Sequence, residues 1–393
     1  MMKRNLFILI LLIPGFIQVL SCKKEGPSPA VIPEILMNDA SVPEGNTSGK
    51  KAVIAIDLSE ETTEEVRLKW STEDGTARAG EDYEAVTEQE LVFSPGLLYQ
   101  TIQVNLISDT NLELNESFYI IVTNLVNAIA NKTKLKVTIQ NDDSYTAEKV
   151  SDGYITPDNY PGMTLLWSDE FDGTTLNTSD WNYETGGGGW GNNELEVYTN
   201  SPSNSYLQDG FLHIKATKNP YSGEYNSARL TTKGKQEFTY GRIDIRARMP
   251  IGQGIWPALW MLGSNISSVG WPRCGEIDIM EYLGHEPLTV HGTAHYYDGG
   301  HKYRGQDYTV TEAENFHETF HVFTIIWQEN SIEWYVDYRK YYTASPSTIK
   351  YEAFRLPQFF IVNLAVGGIW PGYPDATTQF PQILQVDYIR VFQ

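Results

Sequence analysis

Glu276-Ile277-Asp278-Ile279-Met280-Glu281 sets three acids among three apolar residues, and its period decides what kind of structure surrounds it. In a regular β-strand residues 276, 278 and 280 share a face, so Glu281 would point away from Glu276 and Asp278. One extra residue near Ile279-Met280, a β-bulge, returns Glu281 to the face of the other two acids. Ile277 and one of Ile279 or Met280 then face a core. Three carboxylates on one strand face are costly, because like charges that close cannot all ionise and their pKa values split.

Such a split serves a retaining glycosidase, in which one carboxylate attacks the anomeric carbon and a second, protonated, assists the leaving oxygen. The middle acid would hold the nucleophile and the shared proton. On spacing alone an acidic edge strand or a metal site stays open. The metal reading is weakened because the strand carries no histidine. Cys274, two residues upstream, reads as a buried small apolar residue rather than a nucleophile.

Outward from this strand, residues 161–393 carry an all-β pattern with few helix signals, of a size that suits a large two-sheet sandwich with a ligand groove. Trp256 and Trp260 lie four apart and so share a strand face. Residues 32–143 alternate apolar and polar at period two, as in Ala52-Val53-Ile54-Ala55-Ile56, between turns at Pro43-Glu44-Gly45, Glu73-Asp74-Gly75 and Ser94-Pro95-Gly96. That predicts a smaller β-sandwich of roughly seven strands. Residues 144–160 read as a polar linker and 23–31 as a Lys/Pro/Ser tether.

The first 22 residues read as an export signal. Lys3 and Arg4 precede an apolar run, Leu6 to Val19, that is short for a bilayer span and is broken by Pro14. It ends in Val19-Leu20-Ser21-Cys22, which resembles a bacterial lipobox and implies lipidation at Cys22. The expected location is therefore the outer membrane or cell surface, as a bacterial lipoprotein. With Cys22 lipidated, Cys274 has no partner for an intramolecular disulfide. The 393-residue chain has 50 acidic and 29 basic residues and a net charge of −21, which excludes nucleic acid as a partner and leaves a neutral polysaccharide acceptable.

Two resemblances sharpen this reading. With EIDIME, the segments Trp167-Ser168-Asp169-Glu170-Phe171-Asp172, Gly189-Trp190-Gly191-Asn192-Asn193-Glu194, Ala228-Arg229-Leu230, Gly254-Ile255-Trp256-Pro257-Ala258-Leu259-Trp260, His291-Gly292-Thr293-Ala294-His295-Tyr296, Asn363-Leu364-Ala365-Val366-Gly367-Gly368 and Asp387-Tyr388-Ile389-Arg390-Val391 resemble glycoside hydrolase family 16, in particular its laminarinase-like endo-β-1,3-glucanases. The resemblance implies a β-jelly roll with Glu276 as nucleophile, Glu281 as acid/base and Asp278 as their assistant. It implies that Asn193, Glu194, Arg229, Trp256, Trp260 and His295 meet sugar, with His295 near the acid/base; Trp190, in a Gly-rich loop, and Trp370, in the loop after Gly367-Gly368, read as exposed for substrate. His291, which alternates with His295, is expected to pack. No cofactor is implied for catalysis. A structural calcium ion is implied on Glu170, the Gly210 carbonyl and Asp387, hard oxygen donors that suit it.

The smaller sandwich resembles the Calx-beta domain through Pro43-Glu44-Gly45, Asp74-Gly75-Thr76-Ala77, Phe93-Ser94-Pro95-Gly96, Glu116-Ser117-Phe118 and Asn141-Asp142-Asp143. Some members of that family bind calcium, and Glu44, Asp82, Asp109 and Asp143 are the acids that would do so here; a spacer or adhesion role is the alternative. The expected substrate is a β-1,3-glucan or mixed β-1,3/1,4-glucan. A red-algal galactan, of agar or carrageenan type, and a surface glycan-binding protein remain as alternatives.

Overall fold

The computed structural model describes residues 32–109, 114–142 and 148–393. Cys22, the tether 23–31 and Asp143 lie outside the described residues. The architecture is all-β, a β-jelly-roll sandwich preceded by a smaller β-sandwich.

The smaller unit packs a four-stranded sheet on a five-stranded one, so the described residues hold nine strands there rather than about seven. The shortest three are Glu34–Leu36, Ala40–Pro43 and Ile129–Ala130. Two to four residues are too few to display a period of two, which is why the sequence hides them. The alternation in Lys51–Leu58 does become strict alternation of exposure and burial, with Ile54 and Ile56 joining Leu68, Trp70, Phe118 and Val137 in the core. Asp109 N–H donates to Glu44 Oε1 at 3.4 Å, whereas Asp82 turns its carboxylate to the Arg78 N–H at 2.6 Å. Among the described residues Glu44, Asp82 and Asp109 do not converge into a metal-ligating triple.

Residues 148–160 are not the free linker that their polarity suggests. Glu148–Val150 and Gly153–Ile155 form a hairpin, and Tyr154 and Tyr160 are buried against the larger unit. Tyr160 O–H donates to Asp244 Oδ2 at 2.6 Å, and the Thr156 and Tyr388 hydroxyls lie 2.7 Å apart. Gly153 is required where it sits: its φ is +128° and a Cβ there would lie 1.9 Å from the Phe320 carbonyl oxygen. The larger unit is therefore packed from about residue 148 onward, anchored by these two tyrosines.

That unit is a two-layer sandwich. One sheet has ten strands, with Phe211–Lys218, Gln382–Phe392, Gly241–Arg248 and His321–Gln328 at its centre. The other has seven, in the order Asn182–Glu184, Arg229–Thr231, Gln358–Val366, Ile255–Gly263, Glu276–Tyr282, Thr289–Tyr297 and His301–Thr309. The core between them includes Ile243, Ile245, Leu259, Met261, Ile277, Val362 and Leu364. At about 25 cal/mol per Å² of apolar surface removed from water, burial on this scale holds the sandwich without a disulfide. The buried free Cys274 belongs to a small apolar cluster with Leu262, Phe359 and Ile361, as its size suggested. The outer face of the seven-stranded sheet carries the site.

Candidate active site

Register along the catalytic strand, Glu276–Tyr282, shows the bulge directly. Against Thr289–Tyr297, Asp278 faces Thr293 and Glu281 faces His291, so three steps on one strand match two on the other. Against Ile255–Gly263, Trp260 faces Asp278 and Leu259 faces Met280, which leaves Ile279 as the extra residue. Ile277, Ile279 and Met280 are all buried in the core, one more than expected. Glu276, Asp278 and Glu281 line one cleft of about 810 Å³.

Burial is the main force on all three carboxyls. It raises Glu276 to about 8, with the Asp278 charge adding to it. It raises Glu281 well above the usual carboxylate range, again with Asp278 adding, and raises Asp278 as well. Glu276 has the most relief: Trp271 Nε1–H donates to its Oε2 at 3.0 Å, and His295 and Arg229 supply positive potential. Trp256 Nε1–H donates to Glu281 Oε1 at 3.2 Å. The Trp334 indole N–H holds the Asp278 backbone carbonyl at 2.9 Å and so anchors the middle of the strand to the core.

His295 sits opposite Glu276, not Glu281 as expected; its Nε2 is 3.2 Å from Asp278 Oδ2 and 3.7 Å from Glu276 Oε1. On its other side Nδ1 lies 2.8 Å from His301 Nε2. His291 does not pack into the core. It lines the cleft opposite Glu281, with Nδ1 2.8 Å from Asp307 Oδ1 and its ring edge-on to Trp370. Trp271, His301, Tyr303 and Asn363 also line the cleft and were not singled out from sequence. The signal for Trp271 was its place five residues before Glu276, and for His301 its place six after His295.

On the other side of the acids the expected residues converge. Arg229 lies over the rings of Trp190 and Trp260, 4.9 and 4.8 Å from their centroids, with Nε 2.5 Å from Glu184 Oε2. Trp260 Nε1–H donates to Asn363 Oδ1 at 2.8 Å. Asn363 Nδ2–H in turn donates to the Tyr198 hydroxyl, which donates to Glu194 Oε2. Trp256 and Trp370 meet edge to face. Asn193 is the exception: its φ of +59° turns it outward to solvent, and Asn192 lines the cleft instead, donating from Nδ2 to Glu194 Oε1 at 3.1 Å.

Glu170 and Asp387 lie on or beside the ten-stranded sheet, away from the cleft. Arg390 makes a two-pronged pair with Glu170 at 2.9 and 2.8 Å, and Arg246 pairs with Asp387 Oδ2. Burial and the neighbouring Glu170 raise the Asp387 carboxyl. Gly210 faces the Asp172 carboxylate.

A family model described as glycosyl hydrolases family 16 matches residues 192–390, and the Calx-beta domain model matches 35–143. The chain is 39% identical over 330 residues to a glucan endo-1,3-beta-glucosidase A1 of Niallia circulans, covering 76% of this chain but only 47% of that protein. It is 43% identical over 252 residues to a beta-glucanase of Rhodothermus marinus, covering 60% of this chain and 87% of the relative. The laminarinase catalytic domain of Thermotoga maritima superposes with a TM-score of 0.54 at 48% identity, over 59% of this chain and 98% of that structure. A bulged strand that gathers three acids in an indole-lined cleft, the matching family model and these relatives lead to one assignment: the chain belongs to glycosyl hydrolase family 16.

Proposed function

We propose that this chain is an endo-acting, retaining hydrolase of β-1,3-glucan, or of mixed β-1,3/1,4-glucan. The observation that carries it is the bulge at Ile279, which puts Glu276 and Glu281 on the same cleft face with Asp278 between them. In this reading the Glu276 carboxylate attacks the anomeric carbon while Glu281 gives its proton to the departing oxygen. Glu281 then takes a proton from water, which attacks the same carbon and releases Glu276. Asp278 lies between the two glutamates, with His295 Nε2 3.2 Å from its Oδ2.

Cleft-lining side chains come from six adjacent strands, Arg229 at one side and Tyr303 at the other. At about 4.8 Å per strand that is roughly 24 Å, enough for several linked sugar rings and suited to internal cleavage. The indoles of Trp256, Trp260, Trp271 and Trp370 suit apolar sugar faces. A sulfated galactan is disfavoured: among the described residues Arg229 is the one Lys or Arg lining the cleft, and Glu184 already pairs with it. Laminarin, lichenan, agarose and carrageenan assayed side by side, with products sized by chromatography, test the substrate. Laminarin is expected to yield short oligosaccharides first, and NMR should show the β anomer as the initial product. Initial release of the α anomer sinks the retaining mechanism, and preference for agarose or carrageenan sinks the glucan reading.

A stabilising calcium ion on Glu170, the Gly210 carbonyl and Asp387 is part of the same proposal. All three donors are oxygens, which suits calcium, and a cation would relieve an Asp387 carboxyl that burial and the Glu170 charge raise, in competition with the Arg390 and Arg246 guanidinium groups that now hold Glu170 and Asp387. Calcium at a hundredfold excess over its Kd is expected to raise the unfolding temperature by several degrees, and EDTA to reverse this, without changing cleavage products. Equal melting with and without calcium removes the ion from the proposal. Lipid attachment at Cys22 would place the enzyme on a membrane with the Calx-beta unit as spacer. Labelled palmitate is expected to enter the wild type and not a Cys22→Ser variant.

A further inference from the structure

We propose that Glu276, Asp278 and His295 form a binding site for one zinc or copper(II) ion, and that metal held there shuts the enzyme off. The histidine missing from the catalytic strand is supplied by its neighbour, because His295 faces Glu276 across the ladder. Among the described residues this is the one acid and imidazole set whose ligand atoms all lie within 4.8 Å of one another. A tetrahedral ion at about 2.0–2.2 Å from each ligand separates those ligands by about 3.4 Å. His295 Nε2 lies 3.2 Å from Asp278 Oδ2 and 3.7 Å from Glu276 Oε1, on either side of that value.

The donor atoms are also the free ones. Trp271 engages Glu276 Oε2, which leaves Oε1 toward His295. Asp278 is 3% exposed, and its Oδ2 has no hydrogen-bond partner although it points into this group. His301 Nε2, 2.8 Å from His295 Nδ1, orients the imidazole from behind, as the outer partner of a metal-binding histidine does. Two carboxylates balance a divalent charge. Three donors with one imidazole suit zinc or copper, whereas calcium wants six to eight oxygens. The fourth position opens on the cleft, where substrate would otherwise sit, so the metal and the sugar compete for Glu276.

Binding stands independently of the glucanase reading; only the inhibition rests on it. Titration calorimetry of untagged full-length protein with zinc chloride, and separately with calcium and magnesium chloride, tests the site without turnover. One zinc ion per chain is expected, with no comparable calcium or magnesium binding at this site. Glu276→Gln and His295→Gln should each weaken zinc at least tenfold. His301→Gln, on an exposed edge strand where folding is little at risk, should weaken it about tenfold. On laminarin, zinc should inhibit competitively and EDTA should restore the rate. Absence of zinc binding, or zinc affinity unchanged in Glu276→Gln and His301→Gln, overturns the site. Zinc binding at these residues in a protein inert on every glucan would leave the site standing and remove the glucanase reading instead.

Discussion

Glu276→Ala and Glu281→Ala are each expected to cut kcat on laminarin by about 10⁴-fold or more, and to differ in how azide rescues them. An aryl β-glucoside of a short laminari-oligosaccharide, whose leaving group needs no proton, separates the two roles. In Glu276→Ala the space left by the nucleophile admits azide, which attacks the anomeric carbon once and displaces the aryl oxygen, giving the α-glycosyl azide. In Glu281→Ala the glycosyl-Glu276 intermediate still forms, and azide attacks it from the opposite face to give the β-glycosyl azide. The electrostatics supports this division. Trp271 N–H, His295 and Arg229 all ease the charge on Glu276, which suits the group that reacts as a carboxylate. The acid limb of kcat/KM then reports the first ionisation of the cluster and lies above an ordinary carboxylate. The same azide anomer from both variants would show that the roles are misassigned.

Much of this site was legible because the catalytic strand breaks its own period. Alternation predicts Glu281 on the wrong face, three acids demand a common one, and only an inserted residue reconciles the two; Ile279 is that residue. What the sequence hid depends on backbone turns or on contacts across strands. A positive φ at Asn193 exchanged the expected asparagine for Asn192, and adjacent identical residue types carry no mark of which points inward. The sequence suggests His295 beside the acid/base and His291 in the core, whereas the register sets His291 beside Glu281 and His295 beside Glu276. His301 and Tyr303 lie on an almost wholly exposed edge strand with no hydrophobic pattern, so nothing local ties them to the acids. The expected linker departs for the same reason: polarity dominates its sequence, while Tyr154 and Tyr160 decide where residues 148–160 pack.

Asp278→Asn should lose activity and gain stability, and the two effects should share a pH dependence. The side chain is nearly isosteric, yet asparagine cannot exchange a proton with the acids beside it, so a fall in kcat of about 10²–10³-fold is expected. Asp278 raises both Glu276 and Glu281, second only to burial in each case. The folded-state pKa of Glu276, about 8, exceeds its ordinary value of 4.5, so the native state holds the extra proton between those limits. Stability from that proton is complete below pH 4.5 and is lost as pH rises toward 8. Neutralising residue 278 lowers the folded pKa of its neighbours, narrows the window and flattens the decline. The variant should therefore melt with the wild type near pH 4 and above it near pH 8. A gain on the order of 1 kcal/mol corresponds to about 2–4 °C for a unit of this size. Calorimetric melts from pH 4 to 9 would sink the idea if the gap were constant, or if the variant melted lower at pH 8. A gap that opens with pH would show that Asp278 burdens the fold through the charge it adds to the two catalytic glutamates.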